Sequence, residues 1–502
     1  YVPAIEKALV ALCSQKPWSI PAHDRGLKNY KGTDYYVDLV VATAGNGIAQ
    51  CVTMLDDRLS PEVRARVQCA FREKVFRPVY RCLEETKPFW WFTATNNWNS
   101  VCLAGVTGAA LALLPDKEER AYFVAAAEKY NVYGMKGYAD DGYCSEGVGY
   151  YNYGFCAYIL LREEVYRATQ GKIDFFQTPK FVRIARYGKK IQMNEGVCPA
   201  YSDCRIGLSP DKFILSYCDR ALGITSAEEQ PVLPKGNNLS LHLLELFTSQ
   251  VAKVGMTDGI RQVLQEESDA LRAYYEQAGI LIARPAGGTS CRLAISAKGG
   301  TNAENHNHND VGSYAVALGS ETMVGDQGGP NSYPGDYFNG DAPQKYKIKG
   351  SFGHPVVDGR TQSSGGKAKG VVLQKEFTNE KDVFSIDYTS AYSTPNLDKL
   401  IRTFVYDRQG EGNFTVGDEF TAKTPIRFET AITTRADWKI LDDTHLLLAT
   451  DSEQMIVAIE ASGKVAFTSE TIEVNSPAYT RIGIALKNQS KEGYIRLKMY
   501  TK

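Results

Sequence analysis

Histidine is scarce in this chain. Six occur among 502 residues, and two of the six fall within "NHNHND", residues 305–310. Excess charge is lacking as well: 57 Lys and Arg stand against 58 Asp and Glu, a net charge of −1. No global positive field therefore exists to draw in nucleic acid or a membrane surface, and neither is an expected partner. A polyanionic substrate would have to be held by a local basic groove. No uninterrupted run of 18 apolar residues occurs, so no transmembrane helix is expected. The opening "YVPAIEKALVALCSQKPWSIPAHD" has no charged leader ahead of an apolar segment. It reads as an amphipathic helix within a domain. No CxxC pair occurs among the eleven cysteines, ten of which precede residue 220. An odd number, with Cys51, Cys69, Cys102 and Cys156 in apolar helical patterns, favours buried free thiols over a disulfide framework. That leans towards a reducing compartment.

What is present divides into two grammars. Up to about residue 275, apolar residues recur at three and four, the helical period. Helices are expected over 35–55, 61–85, 99–114, 117–134, 146–171, 240–250 and 258–277, joined by short connections rich in Gly, Pro and Asp. Helical hairpins closing into a ring would satisfy this pattern, as would a solenoid or a bundle. From about residue 278 the period becomes two. "AGILIARP", "CRLAISAKG", "VGSYAVALG", "VFSIDYTSAY" and six further runs read as strands. Strands in series without helices between them predict an antiparallel sandwich. The expected fold is therefore multi-domain α+β: helical hairpins over 1–276, then an antiparallel β-sandwich over 277–502, with the site at their interface.

Three stretches carry candidate chemistry. In "NHNHND" an extended backbone would put His306 and His308 on one face. Two imidazoles so placed can share a metal, or one can bind metal while the other moves protons. Asp326 in "VGDQGG" and His354 in "GHPVVDG" complete a set suited to zinc: His308, Asp326 and His354 as ligands, His306 kept for acid–base work. A plainer reading makes Asp326 a turn residue. The second stretch is "FWWFTATNNWNSVCLAG" (89–105). Asn96, Asn97 and Asn99 lie among Trp90, Trp91 and Trp98 at a helix start. One Asn is explained as an N-cap; the group together suits a sugar-binding wall. The third is "DDGYCSEGVGYYNYGFCAY" (140–158). Its tyrosines suit core packing, or a general acid near a glycine-rich helix entry. Asp140 or Asp141 with Glu146 offers a glycosidase-like acid pair, against a plainer reading as loop and helix-start charges.

Together these stretches resemble the heparinase II/III-like polysaccharide lyases. The resemblance rests on "NNWNSVC", "DGYCSEGVGYYNYG", "NHNHNDVGSYAVALG", "VGDQGG" and "GHPVVDG", with "WSIPAHD" and "DYYVDLVVATAG" before them. It implies an (α/α) toroid followed by antiparallel sheets, and β-elimination on a uronic-acid polysaccharide. It implies Asn97 as the amide that neutralises the uronate carboxylate and His306 as base. A tyrosine donates the proton, with Tyr151 preferred over Tyr150 and Tyr153. Asn96, Trp98, Glu146, Tyr150 and Tyr153 are expected to line the substrate site, as are Tyr333 and Tyr337. Zinc is expected as a structural cofactor on His308, Asp326 and His354. Trp98 stands where some relatives carry a histidine, which leaves neutralisation to the amide. The chain also begins deep in the pattern, so a toroid one helix short or a trimmed start is expected. The expected partner is an acidic polysaccharide or oligosaccharide, a glycosaminoglycan or another uronate chain such as alginate. A homodimer and a bacterial protein of the periplasm or cytoplasm also fit. The rival readings are a toroidal glycoside hydrolase and a non-catalytic carbohydrate-binding protein with a structural zinc.

Overall fold

The structure, a computed structural model, describes residues 1–225, 232–236, 238–247, 251–266, 270–304, 306–329, 353–473 and 478–502. It divides into two compact units. One comprises 1–138, 150–185 and 211–263; the other comprises 139–149, 186–210 and 264–502. The units are therefore not the two contiguous halves 1–276 and 277–502.

The first unit is helical. Its elements include Val2–Ser14, Leu39–Leu55, Pro61–Phe71, Arg77–Glu84, Asn97–Leu113, Lys117–Lys136, Gly147–Ala168 and Lys212–Ala221. Sequence explains most of the starts. Asp38, Asn96, Asp116 and Asp211 each accept a hydrogen bond from a first-turn amide, at Val41, Trp98, Glu119 and Phe213. Such caps satisfy donors that the helix itself leaves unpaired. The Asn97–Leu113 helix is buried on nearly every side. Glycine lets its neighbours approach: a Cβ on Gly105 would lie 2.5 Å from Ala42, and one on Gly154 3.0 Å from Asn97 Cβ. The stretch Leu39–Arg58 has the length and hydropathy to cross a membrane. In this unit its helix packs through Ala42 on Gly105. The Gly147–Ala168 helix buries a ladder of rings: Tyr151 on Phe155 at 5.1 Å, and Phe155 with Phe176 and Phe181 at 6.3 and 6.0 Å.

The second unit is antiparallel throughout. Eight strands form the largest sheet, in the order Asp437–Asp442, His445–Ala449, Gln454–Ala461, Ser490–Thr501, Asn413–Ile426, Leu397–Asp407, Lys381–Asp387, Val371–Phe377. A five-stranded sheet runs Arg272–Tyr275, Ile280–Ala283, Leu293–Lys298, Tyr314–Leu318, Glu321–Val324. One apolar core joins them, through residues such as Leu293, Val316, Phe384, Phe404 and Phe414. Each large apolar side chain so buried contributes about 1.5–3 kcal/mol. A helix expected over 258–277 ends at Glu266, and Arg272–Tyr275 is already a strand. Its "RAYY" alternates half-buried and buried positions and pairs with Ile280–Ala283, so pairing overrides local helical propensity.

Candidate active site

The histidine stretch sits in the connection between strands Leu293–Lys298 and Tyr314–Leu318. Its asparagines are anchors. Asn302 accepts from the Asp310 amide at 3.1 Å and donates to Gln362 Oε1 and the Ser363 carbonyl at 3.1 and 2.8 Å. Asn309 donates to the Gln362 carbonyl at 3.1 Å, and Asn307 to the His308 carbonyl at 2.8 Å. Beneath the loop the wholly buried Lys298 ammonium donates to both oxygens of Asp310 at 2.7 Å, with Glu304 at 3.8 Å. Burial alone would push Lys298 down; Asp310 and Glu304 outweigh it and hold it above its ordinary value.

The two imidazoles do not alternate along a strand. His306 takes a left-handed backbone, φ +56°, a conformation that non-glycine residues hold only when surroundings enforce it. The enforcing group is Asp203. His306 Nδ1 lies 2.7 Å from its Oδ2, and His308 Nε2 lies 3.1 Å from its Oδ1. The histidines therefore converge on one carboxylate, which sequence reasoning had not selected. Its setting, "AYSDCRIG", looks like an ordinary turn. His306 Nε2 stands 3.7 Å from Glu146 Oε2, and its side chain is 18% exposed. An ionised carboxylate can only accept. Nδ1 of His306 thus carries the hydrogen, and in the neutral ring the basic lone pair is on Nε2.

Both carboxylates come from loops that the sequence had placed in the helical half. Ser202, itself left-handed, donates to the Ser145 carbonyl at 2.8 Å and ties these loops together. Gly147 backs onto Cys204, where a Cβ would come within 2.8 Å of its Cβ. From the other side, the Gly329 amide donates to the Cys204 carbonyl at 3.0 Å. Gly328, at φ +72°, leaves no room for a side chain: a Cβ would sit 1.9 Å from that same oxygen. Gly328→Ala is accordingly expected to displace the Asp203 turn and reduce activity on the order of 100-fold, as sub-ångström misplacement can. Turnover compared with the unfolding midpoint checks this; unchanged turnover would exclude the turn from the site.

The expected metal set is only partly assembled. Among the described residues no three His, Cys, Asp or Glu side chains form a metal-holding group. Asp326 Oδ1 accepts from the Gly328 amide at 2.8 Å, as its turn reading predicted. Its Oδ2 is buried with no hydrogen-bond partner, and so is His308 Nδ1. Burial raises Asp326, against the opposing charge of His308. Burial lowers His308, but the hydrogen bond to Asp203 and the charges of Asp326, Asp203 and Asp310 prevail and raise it. These two groups fit a shared cation, whether metal or proton. His354 does not fit as the third ligand. It is buried, with Nδ1 3.4 Å from Arg402 Nη1. Burial, then the charges of Arg402, Lys298 and Arg481, hold it well below its ordinary value.

The helical unit presents its own group. Asn96 caps its helix by accepting from the Trp98 amide at 3.1 Å. Asn99 is structural, donating to the carbonyls of Trp91, Phe92 and Tyr130. Asn97 is buried in the first helical turn. Trp98 packs edge-on to His23 at 4.7 Å and against Trp90 at 4.8 Å, and Trp90 is 52% exposed. His23 is set by Asp38, at 2.9 Å. An exposed tryptophan beside amides suits sugar stacking. Tyr151, the expected proton donor, is instead a core residue. It is wholly buried, and its hydroxyl donates to the Ile184 carbonyl at 3.2 Å. Tyr150 is half-buried and Tyr153 exposed. Asp141 is held as a turn acceptor, from Tyr143 and Gln277 amides at 3.1 and 3.2 Å, which weakens the paired-acid reading. Two arginines of this unit that could form a local basic groove are paired, Arg72 with Glu119 and Arg81 with Asp34. Tyr333 and Tyr337 lie outside the described residues.

No protein-family model matches the chain, and no curated protein matches it in sequence. Solved structures do match in shape. A heparinase III aligns over 99% of this chain and 73% of its own, with TM-score 0.66 and 12% identity. A mutant heparan sulfate lyase from Pedobacter heparinus aligns over 99% and 72%, with TM-score 0.63 and 13% identity. Another heparinase III structure aligns over 99% and 76%, with TM-score 0.62 and 12% identity. The chain thus has a heparinase-like fold, an α-toroid plus β-sandwich architecture.

Proposed function

We propose that the protein cleaves a uronic-acid-containing polysaccharide by β-elimination, with His306 as the base. The observation that carries this reading is the 2.7 Å contact between His306 Nδ1 and Asp203. The proton at C5 of a uronate is weakly acidic. Its removal needs a base, neutralisation of the adjacent carboxylate, and a donor to the departing glycosidic oxygen. Asp203 orients the His306 ring, directs its basic lone pair to Nε2 and stabilises the imidazolium formed when Nε2 takes the proton. Asn97 is the helical unit's candidate for binding the uronate carboxylate. The donor role passes from Tyr151 to Tyr150, because the Tyr151 hydroxyl is committed to the core. Adjacent positions on a helix point about 100° apart, so a buried Tyr151 turns Tyr150 towards another side.

A glycosaminoglycan is the preferred substrate class, supported by the heparan sulfate lyase and heparinase III structures that share the fold. Incubation with heparan sulfate, hyaluronan, chondroitin and alginate, followed in the near ultraviolet, tests the reading. A rise in absorbance marks the unsaturated uronate and identifies the polymer. New reducing ends without that rise would indicate hydrolysis, and binding without either product would leave a carbohydrate-binding protein. Zinc in a structural role belongs to the same proposal, held by His308 and Asp326 without His354. When bound it would engage Asp326 Oδ2 and His308 Nδ1, two buried atoms without hydrogen-bond partners. Elemental analysis is expected to find about one zinc per chain, lost in His308→Ala; its absence from the intact protein would leave a proton in that place.

A further inference from the structure

The helical unit contains a cavity of about 790 Å³ that the candidate site does not use. It lies among the C-terminal portions of helices Leu39–Leu55, Asn97–Leu113 and Gly147–Ala168, is bordered by the Lys117–Lys136 helix, and opens to solvent. Gly108 on its wall is eleven residues beyond Asn97, about 16 Å along the helix axis. The cavity is large enough for a small organic molecule.

One side is apolar, with Leu111, Val124 and Ala125. The other carries Glu164, whose Oε1 accepts from Asn46 Nδ2 at 2.8 Å. Its Oε2 is buried with no hydrogen-bond partner. The helix packing is shaped to admit this carboxyl group: a Cβ on Gly108 would stand 2.1 Å from Glu164 Oε1. Burial raises the group to about 8, against the hydrogen bond from Asn46. An acceptor oxygen left unmatched beside apolar walls is unfavourable until a donor reaches it. Three helices also direct their C-terminal carbonyls, the negative ends of their dipoles, to this end of the unit, against one N-terminus, that of Lys117–Lys136. Lys117 and Arg120 reach the rim, as does Glu128. Arg120 is engaged by the carbonyls of Leu114 and Pro115 at 2.8 and 2.7 Å. Carboxyl, dipoles and walls select one kind of guest, a positive hydrogen-bond donor attached to an apolar body.

We propose that this cavity binds a small organic ammonium, its nitrogen donating to Glu164 and its apolar body lying along Leu111, Val124 and Ala125. Calorimetric titration of the intact protein with n-hexylamine, hexan-1-ol and hexanoate tests it. Hexylamine is expected to bind at least about tenfold more tightly than hexan-1-ol, and hexanoate not measurably. Glu164→Gln should erase the preference for the amine while leaving the alcohol's affinity unchanged. Ala125→Leu, which fills the apolar side and leaves Glu164 in place, should weaken amine and alcohol alike. Failure of hexylamine to bind would overturn the proposal. So would equal affinity for amine and alcohol, or undiminished amine binding by Glu164→Gln.

Discussion

His306→Asn is expected to slow formation of the unsaturated uronate by roughly 100- to 10,000-fold, the span usually lost with a positioned general base. Asparagine is chosen because it accepts the left-handed backbone that His306 adopts. The loop should therefore survive while the titratable ring is lost. Asp203→Asn should lie between the variant and the parent, because the ring remains but loses its orientation and the charge that stabilises its protonated form. The readout is initial rate on the polymer identified by the substrate panel, alongside the unfolding midpoint. A rate loss in His306→Asn with an unchanged midpoint assigns the ring to chemistry. Retention of full activity would move the base elsewhere, and Glu146, 3.7 Å from the imidazole, would be examined next.

Asp310→Ala carries the largest expected effect on stability. Lys298 and Asp310 are both wholly buried and share two hydrogen bonds of 2.7 Å. Removing the carboxylate leaves an ammonium inside the sheet unit with Glu304, at 3.8 Å, as its remaining ion-pair partner among the described residues. Breaking a buried pair in this way costs about 3–5 kcal/mol. The double variant Lys298→Met with Asp310→Leu should recover much of that loss, because the stranded ammonium is removed together with its closest partner. Chemical denaturation of the two proteins and the parent makes the comparison. Equal midpoints for parent and Asp310→Ala would show that the ammonium reaches solvent. The lysine's own contribution has a defined pH window. A pKa raised in the folded state means that it is complete below the ordinary lysine value of 10.5 and declines only above it.

Much of the architecture is legible in the residues. The change of period from helix to strand near residue 275 is a consequence of how each element buries one face, and caps such as Asp38 and Asn96 mark helix starts. The histidine stretch also announces itself. Three features escape a linear reading, each for its own reason. Asp203 is one aspartate in a turn, 103 residues from His306, and nothing local separates it from a surface residue. Tyr150 and Tyr151 are equivalent in pattern; only packing against Phe155 decides which faces inward. His354 resembles a ligand until Arg402 is placed beside its Nδ1, and that arginine lies 48 residues away along the chain.

The path of the chain between the two units has an evolutionary corollary. It passes from one to the other after residues 138, 149, 185, 210 and 263. His306 therefore sits on a loop of late origin in translation, whereas its carboxylate partner Asp203 is made 103 residues earlier. No single recombination breakpoint between helical and sheet halves can carry His306 and Asp203 together with the sheets alone. A chimera joined near residue 270 would set one ancestor's Asp203 turn against another's histidine loop. Substitutions in 200–205, 304–310 and 326–329 should consequently be inherited as a block, and exchange of sheet domains among proteins of this shape should succeed only when the two early loops travel with them.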